Sequence, residues 1–153
     1  MDRTTLEVNN NIVAEIDVTP EATTASWQNM GTFMTEISES LNEQTQQYFL
    51  MADKGFATNE VTGMAPQFTV TGKKVQGDAA CEYLYGLRYK IGLERKTQIR
   101  LSRSMGTDIR TVSCAVTVIN LTCEEGESNG NVPMSATFAM NGQPVVGTVA
   151  FAK

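Results

Sequence analysis

Residues 66–103 open with a strand-like run, Gln67-Phe68-Thr69-Val70-Thr71, that reaches a break at Gly72-Lys73-Lys74. An amphipathic helix follows from about Asp78, and a second strand-like run, Thr97 to Arg103, comes after it. Within residues 78–91 the apolar Ala80, Leu84, Leu87 and Ile91 recur at steps of four, three and four, which places them on one helical face. Such a stripe needs a sheet to cover. Asp78 is suited to N-cap the helix, Glu82 lies in the first turns where the helix dipole favours an anion, and Gly92 is a left-handed stop. Gly86 falls inside this helix, where glycine costs roughly 1 kcal/mol relative to alanine. Its expected role is to let the helix approach a strand closely. Tyr83, Tyr85 and Tyr89 fall mostly off the stripe, either at the edge of the core or toward a neighbouring subunit.

Working outward, 153 residues fit one domain, long enough to bury roughly 68–70% of the unfolded surface without staples. A formal charge of -5 and a pI near 4.7 argue against a basic grip on nucleic acid, which needs clustered Lys and Arg. The one basic cluster, Arg88, Lys90, Arg95 and Lys96 with Arg100 and Arg103 beyond, is interleaved with Glu94 and reads as a solvated or subunit-facing surface. Cys81, Cys114 and Cys123 have no short paired spacing, and the chain has no histidine. A zinc site of the usual kind and any mechanism with a histidine base are thereby disfavoured. The odd cysteine count and polar opening (Met1-Asp2-Arg3-Thr4-Thr5) lead to the expectation of a soluble protein made in a reducing cytoplasm. No run approaches the roughly 20 apolar residues of a membrane helix.

In chain order, residues 1–11 are polar and asparagine-rich and are expected to form a mobile arm. Ile12 to Val18 alternates as a short strand, and Trp27 introduces another, in which Phe33, Thr35 and Ile37 oppose Met34, Glu36 and Ser38, with Gly31 placed to bend it. Its expected partner runs from about Gln44 to Leu50. Met51 to Ala65 reads as a long loop, either an interaction element or merely flexible. Thr97, Ile99 and Leu101 share one strand face, and Met105-Gly106-Thr107-Asp108 makes a turn. From Arg110 to Glu124, Val112, Cys114, Val116 and Val118 share one face before Ile119, Leu121 and Cys123 take the opposite parity, which implies a bulge near Val118. Glu124 to Gly130 is an acidic turn, and Met134, Ala136, Phe138 and Met140 then alternate cleanly with polar or small residues. Asn141-Gly142 carries the strongest hairpin signal in the chain, and Val145 to Phe151 is expected to return as the third strand of a meander. The class is mainly β (α+β): a two-sheet antiparallel sandwich or open barrel with one flanking helix.

No phosphate-cradling glycine motif, nucleophile elbow or dinucleotide fingerprint is present. Carboxylates cluster at Glu36 with Glu39, at Glu124, Glu125 and Glu127, and at Asp53, Glu60 and Asp78. The 124–127 group lacks the ligand alternation of a calcium loop and reads as a solvated turn. Nothing here supports an enzyme, a metal site or a cofactor. The numerous methionines read chiefly as core fillers.

Residues 27–151 resemble a phage tail tube protein, the major tail protein of long-tailed bacteriophages. The resemblance is carried by Trp27 and its strand, by the 41–65 segment ending in Gly63-Met64-Ala65-Pro66, and by Gln67 to Lys74. Gly77-Asp78-Ala79-Ala80 opening the helix and Phe138-Ala139-Met140-Asn141-Gly142-Gln143-Pro144 complete it. It implies a β-sandwich flanked by a helix, six copies of which close a ring. Rings stack around a tape-measure protein, between tail-tip and tail-terminator proteins, in a virion tail assembled in the bacterial cytoplasm. The arm and the loop at about 40–65 would then contact adjacent copies, with Leu41, Tyr48, Asp53, Lys54, Phe56, Glu60 and Met64 as candidate contacts. Glu36 and Glu39 are candidate lumen carboxylates, since an acidic wall lets DNA pass without specific binding. The alternative is a monomeric β-sandwich binding module that grips a ligand with residues 51–65.

Overall fold

The computed structural model describes residues 11–105, 108–126 and 128–150. The turn residues Gly106 and Thr107, Glu127 of the acidic turn and all but Asn11 of the expected arm lie outside the described residues. The strands are β1 (Ile12–Asp17), β2 (Trp27–Asn29), β3 (Met34–Ser40), β4 (Gln44–Phe49), β5 (Ala57–Gly63) and β6 (Gln67–Lys73). After helix α1 (Ala79–Gly86) come β7 (Lys96–Met105), β8 (Asp108–Thr122), β9 (Pro133–Met140) and β10 (Val145–Ala150). One antiparallel sheet has the order β2-β1-β7-β8-β9-β6-β3, with β10 added on β8, and β4–β5 form a separate two-stranded sheet. Ala14 and Ile16 of β1 share one core with Phe68 and Val70 of β6, four strands away, so the sheet curls over a common interior. The protein is mainly β, and both layers of the expected sandwich come from this continuous sheet.

The period-2 pattern explains most of these strands. Thr97, Ile99 and Leu101 of β7, Val116 and Val118 of β8, and Met134, Ala136 and Phe138 of β9 are all buried. The parity switch in β8 is a bulge: its register with β9 shifts between Ile119 and Thr122, Asn120 takes φ 52°, and Cys123 is returned to the interior. All three cysteines are free and buried. The methionines divide, with Met30 and Met134 buried and Met51 and Met64 exposed.

Four expectations change. The strand begun at Trp27 breaks at a 3-10 turn, Met30–Thr32, where the Asn29 side chain accepts the Gly31 N–H at 2.7 Å. β4 pairs with β5, inside the segment read as loop, and β3 pairs with β6 instead. Asn141-Gly142 is no hairpin, because only Gly142 takes a positive φ (84°) whereas a type I′ turn needs two. β9 pairs with residues 116–122 of β8 and β10 with residues 108–113, both antiparallel to it and on the edge opposite β7. The chain from β9 to β10 is thus one interrupted strand, kept on β8 by the Asn141 N–H to the Ala115 carbonyl at 2.8 Å. Finally, α1 ends at Gly86, and Ile91, assigned to the buried stripe, is 83% exposed. In place of further helix, Arg95 donates to the carbonyls of Arg88 and Lys90, both at 2.8 Å, satisfying groups another turn would have used.

A helix of eight residues is too short to persist alone. Burial of Ala80, Cys81, Leu84 and Leu87 against the sheet holds it. Asp78 caps it as expected, accepting the Cys81 N–H at 3.0 Å, and also accepts the Thr32 hydroxyl at 2.6 Å. At the other end, the Tyr85 hydroxyl donates to Glu124 at 2.6 Å, Arg88 pairs with Glu124 at 3.0 Å, and Lys74 and Arg88 lie over the Tyr85 ring. The Tyr85 hydroxyl, with Lys74 and Arg88, holds the Glu124 carboxyl below its ordinary value near 4.5.

Two stability predictions follow from this packing. A Cβ at Gly72 would stand 1.9 Å from the Phe33 carbonyl oxygen, whereas one at Gly86 would meet nothing within 4 Å, so the close approach to a strand expected at Gly86 is found at Gly72 instead. In urea unfolding, Gly72→Ala is expected to lose about 3 kcal/mol or more and Gly86→Ala to gain about 0.4–1 kcal/mol. Equal effects at the two sites would contradict the packing. A carboxyl held below its ordinary value stabilises the fold fully above that value and loses the contribution as pH falls toward the depressed one. The native chain should therefore exceed Glu124→Gln in stability at pH 7, with the difference shrinking below about pH 4.5; unfolding midpoints at pH 7 and pH 3 check this.

Candidate assembly interface

Residues 41–65 stand on the sheet as a hairpin whose base is closed by hydrogen bonds. The Ala65 N–H donates to the Leu41 carbonyl at 3.1 Å, and the Asn42 side chain donates to the Ala65 carbonyl at 3.0 Å. Asn42, with φ 47°, makes the corner that turns the chain out of β3. From there β4 and β5 pair from Gln44 opposite Gly63 to Phe49 opposite Ala57. Alternation puts Thr45, Gln47, Phe49, Ala57, Asn59 and Val61 on one face and Gln46, Tyr48, Thr58 and Glu60 on the other.

The tip is a 3-10 turn, Met51–Asp53, closed by Lys54 in the left-handed region (φ 53°) and by Gly55 at φ 91°. Asp53 accepts the Thr58 hydroxyl at 2.9 Å, and Tyr48 donates to Glu60 at 2.6 Å, a bond that raises the Tyr48 phenol above its ordinary value near 10. These polar contacts fix the hairpin's shape without burying it. Phe49 is 64% exposed, Leu50 50%, Met51 100% and Phe56 78%. None of the four belongs to the core cluster. Four large apolar side chains at the end of a hydrogen-bonded projection are what a docking element presents, since apolar patches on soluble proteins commonly mark interaction sites.

The structure brings all seven candidate contacts onto this one hairpin: Leu41 and Met64 at its base, Tyr48 and Glu60 along its polar face, and Asp53, Lys54 and Phe56 at its tip. Sequence reading missed Phe49, Leu50 and Met51, although three consecutive apolar residues beside a turn signal were visible there. Glu36 and Glu39 are not brought together. Glu39 pairs opposite buried Phe68, on the inward parity shared with Ile37, and borders a cavity with Arg103 and Arg110; Glu36 pairs opposite Thr71, on the outward parity. That outward face is rich in small hydroxyls, with Ser38 opposite Thr69 and Thr71 opposite Ser135. The basic cluster is divided too: Arg100 makes a paired contact with Glu15 and stacks on Trp27, while Arg88 is turned to Glu124. β2, β3 and β10 each have one edge without a partner among the described residues. Among the described residues no group of three or more Cys, Asp or Glu is placed to hold a metal ion, and no helix is long and apolar enough to cross a membrane.

By sequence, no protein-family model and no curated protein matches the chain. By structure it is similar to a chain of the tail of an empty gene transfer agent particle refined with C6 symmetry, at TM-score 0.72 and 12% identity, over 93% of this chain and 99% of that one. The SPP1 tail tube is similar at TM-score 0.65 and 13% identity, over 95% of this chain and 80% of that one. A chain of the anti-feeding prophage baseplate, 6-fold symmetrised, is similar at TM-score 0.60 and 6% identity, over 97% and 98%. Across nearly its whole length, the protein therefore has the fold of a phage tail tube protein.

Proposed function

We propose that the protein is a structural subunit of a phage tail tube, polymerising as stacked rings of six through which DNA is delivered. The observation that carries this reading is the β4–β5 hairpin, held in shape by its own hydrogen bonds while Phe49, Leu50, Met51 and Phe56 remain exposed. Such a surface is costly in an isolated protein and is explained by a neighbouring copy that covers it. The open edges of β2, β3 and β10 fit the same account, because ring closure lets edges pair between copies. The C6 symmetry of the similar gene transfer agent tail supports six as the number.

On this reading the chain is a virion tail component made in the host cytoplasm, and it acts by assembly instead of catalysis. Its partners are further copies of itself, a tape-measure protein in the bore, and tail-tip and tail-terminator proteins at the ends. The candidate lumen wall is the outward sheet face, where Glu36 stands among small hydroxyl residues that offer DNA no cationic hold. Glu39 lies on the other face, bordering a cavity with Arg103 and Arg110.

Negative-stain electron microscopy of the concentrated, tag-free protein is expected to show hollow rods or stacked rings with a central pore. The double variant Met51→Asp/Phe56→Asp is expected to form no rods, with a folding stability within about 0.5 kcal/mol of native because both side chains are exposed. Rods from that variant would contradict the assigned role of the hairpin. A native chain that stays monomeric, even with tail-tip and tape-measure proteins added, would favour a monomeric binding module.

A further inference from the structure

The chain carries a second exposed apolar patch, remote in sequence from the hairpin. Tyr89, Ile91 and Leu93, just after α1, are 87%, 83% and 79% exposed. Ile91 and Leu93 border an open groove of about 600 Å³, lined also by Val118 and by Asn120 at the β8 bulge. Arg95 braces the segment that borders the groove. The Arg95 guanidinium donates to the carbonyls of Arg88, Lys90 and Val118 at 2.8, 2.8 and 3.4 Å, tying residues 88–95 to β8. The segment's regular structure is a single 3-10 turn, Gly92–Arg95, and the three charge-assisted hydrogen bonds brace it.

We propose that this groove is the acceptor for the β4–β5 hairpin tip of a second copy of the chain. The proposal rests on the assembly reading and names the surface the hairpin meets. Apolar character matches on both sides, Phe49, Leu50, Met51 and Phe56 against Tyr89, Ile91 and Leu93. Charge selects the pairing. The 41–65 segment carries Glu43, Asp53 and Glu60 against Lys54, whereas the groove is lined by Lys90, Arg95 and Lys96, with Glu94 beside them. Two hairpins brought together repel, as do two grooves, but a hairpin and a groove attract. The contact is therefore head to tail, and every copy added leaves one tip and one groove free. Such a heterologous contact closes into a ring or runs on as a stack, never ending as a symmetric dimer. Strands of six and seven residues extend the tip roughly 20 Å from its base.

Two variants test the pairing: the tip variant Met51→Asp/Phe56→Asp and the groove variant Ile91→Asp/Leu93→Asp, all four side chains being at least 78% exposed. Circular dichroism and unfolding midpoints verify that both keep the native fold. Each variant alone is expected to lose rod formation completely. Mixed, they are expected to form a one-to-one heterodimer in native mass spectrometry, because the groove variant keeps its tip and the tip variant keeps its groove. A mixture that stays monomeric, or a groove variant that forms rods as the native chain does, overturns the proposal. The second result leaves the tube reading intact, whereas a native chain that never assembles overturns both.

Discussion

The fold depends on β8, a fifteen-residue strand that serves two sets of neighbours at once. One edge carries β7 from Asp108 to Thr117, and the other is divided between β9 and β10. A strand used in this way must keep an apolar face inward over its first part and restore burial after any twist. The bulge at Ile119–Thr122, with Asn120 in the left-handed region, does that: it reverses the parity so that Cys123 enters the core and the chain leaves toward Glu124. Glu124 in turn takes the Tyr85 hydroxyl and the Arg88 guanidinium, so the same bulge places the residue that pins the helix. Core, helix and groove all meet at that point of one strand.

On the proposed assembly reading, stability and docking are spatially divided. Interior side chains such as Phe138, Ile16 and Leu84 are fully covered, each contributing about 1.5–3 kcal/mol by burial, without help from the hairpin. The hairpin keeps its shape through β4–β5 pairing and the Tyr48, Asp53 and Asn42 hydrogen bonds, leaving its apolar residues for a neighbour. On that reading the subunit would fold first and dock afterwards with little reordering, which would limit the entropy lost on assembly.

Where a segment faces the core, its sequence was readable. The β7 and β9 alternations, the Asp78 cap, the parity switch in β8 and the mainly β class are all present as predicted, and the resemblance of residues 27–151 to a tail tube protein leads to the fold the comparisons show. Where burial does not dictate, the signal fails. β5 has no buried residue, so Ala57–Gly63 offers no period-2 pattern and reads as loop. The Asn141-Gly142 pair predicts a local turn, yet the Asn141 N–H and side chain bond to Ala115 and Thr117, a non-local choice that no dipeptide encodes. Ile91 fits a helical period, but Arg95, four residues on, takes the carbonyls and ends the helix early. The seven candidate contacts were named through the resemblance, and the exposed Phe49, Leu50 and Met51 beside them show only in the structure.

Hydrogen–deuterium exchange, compared between dilute protein and the concentrated, assembled form, tests most directly whether a neighbouring copy covers the hairpin. The account predicts that amides of residues 44–63 slow on assembly while the interior strands β7 and β8, already paired on both sides for most of their length, change little. Assembly with unchanged exchange across the hairpin would contradict it.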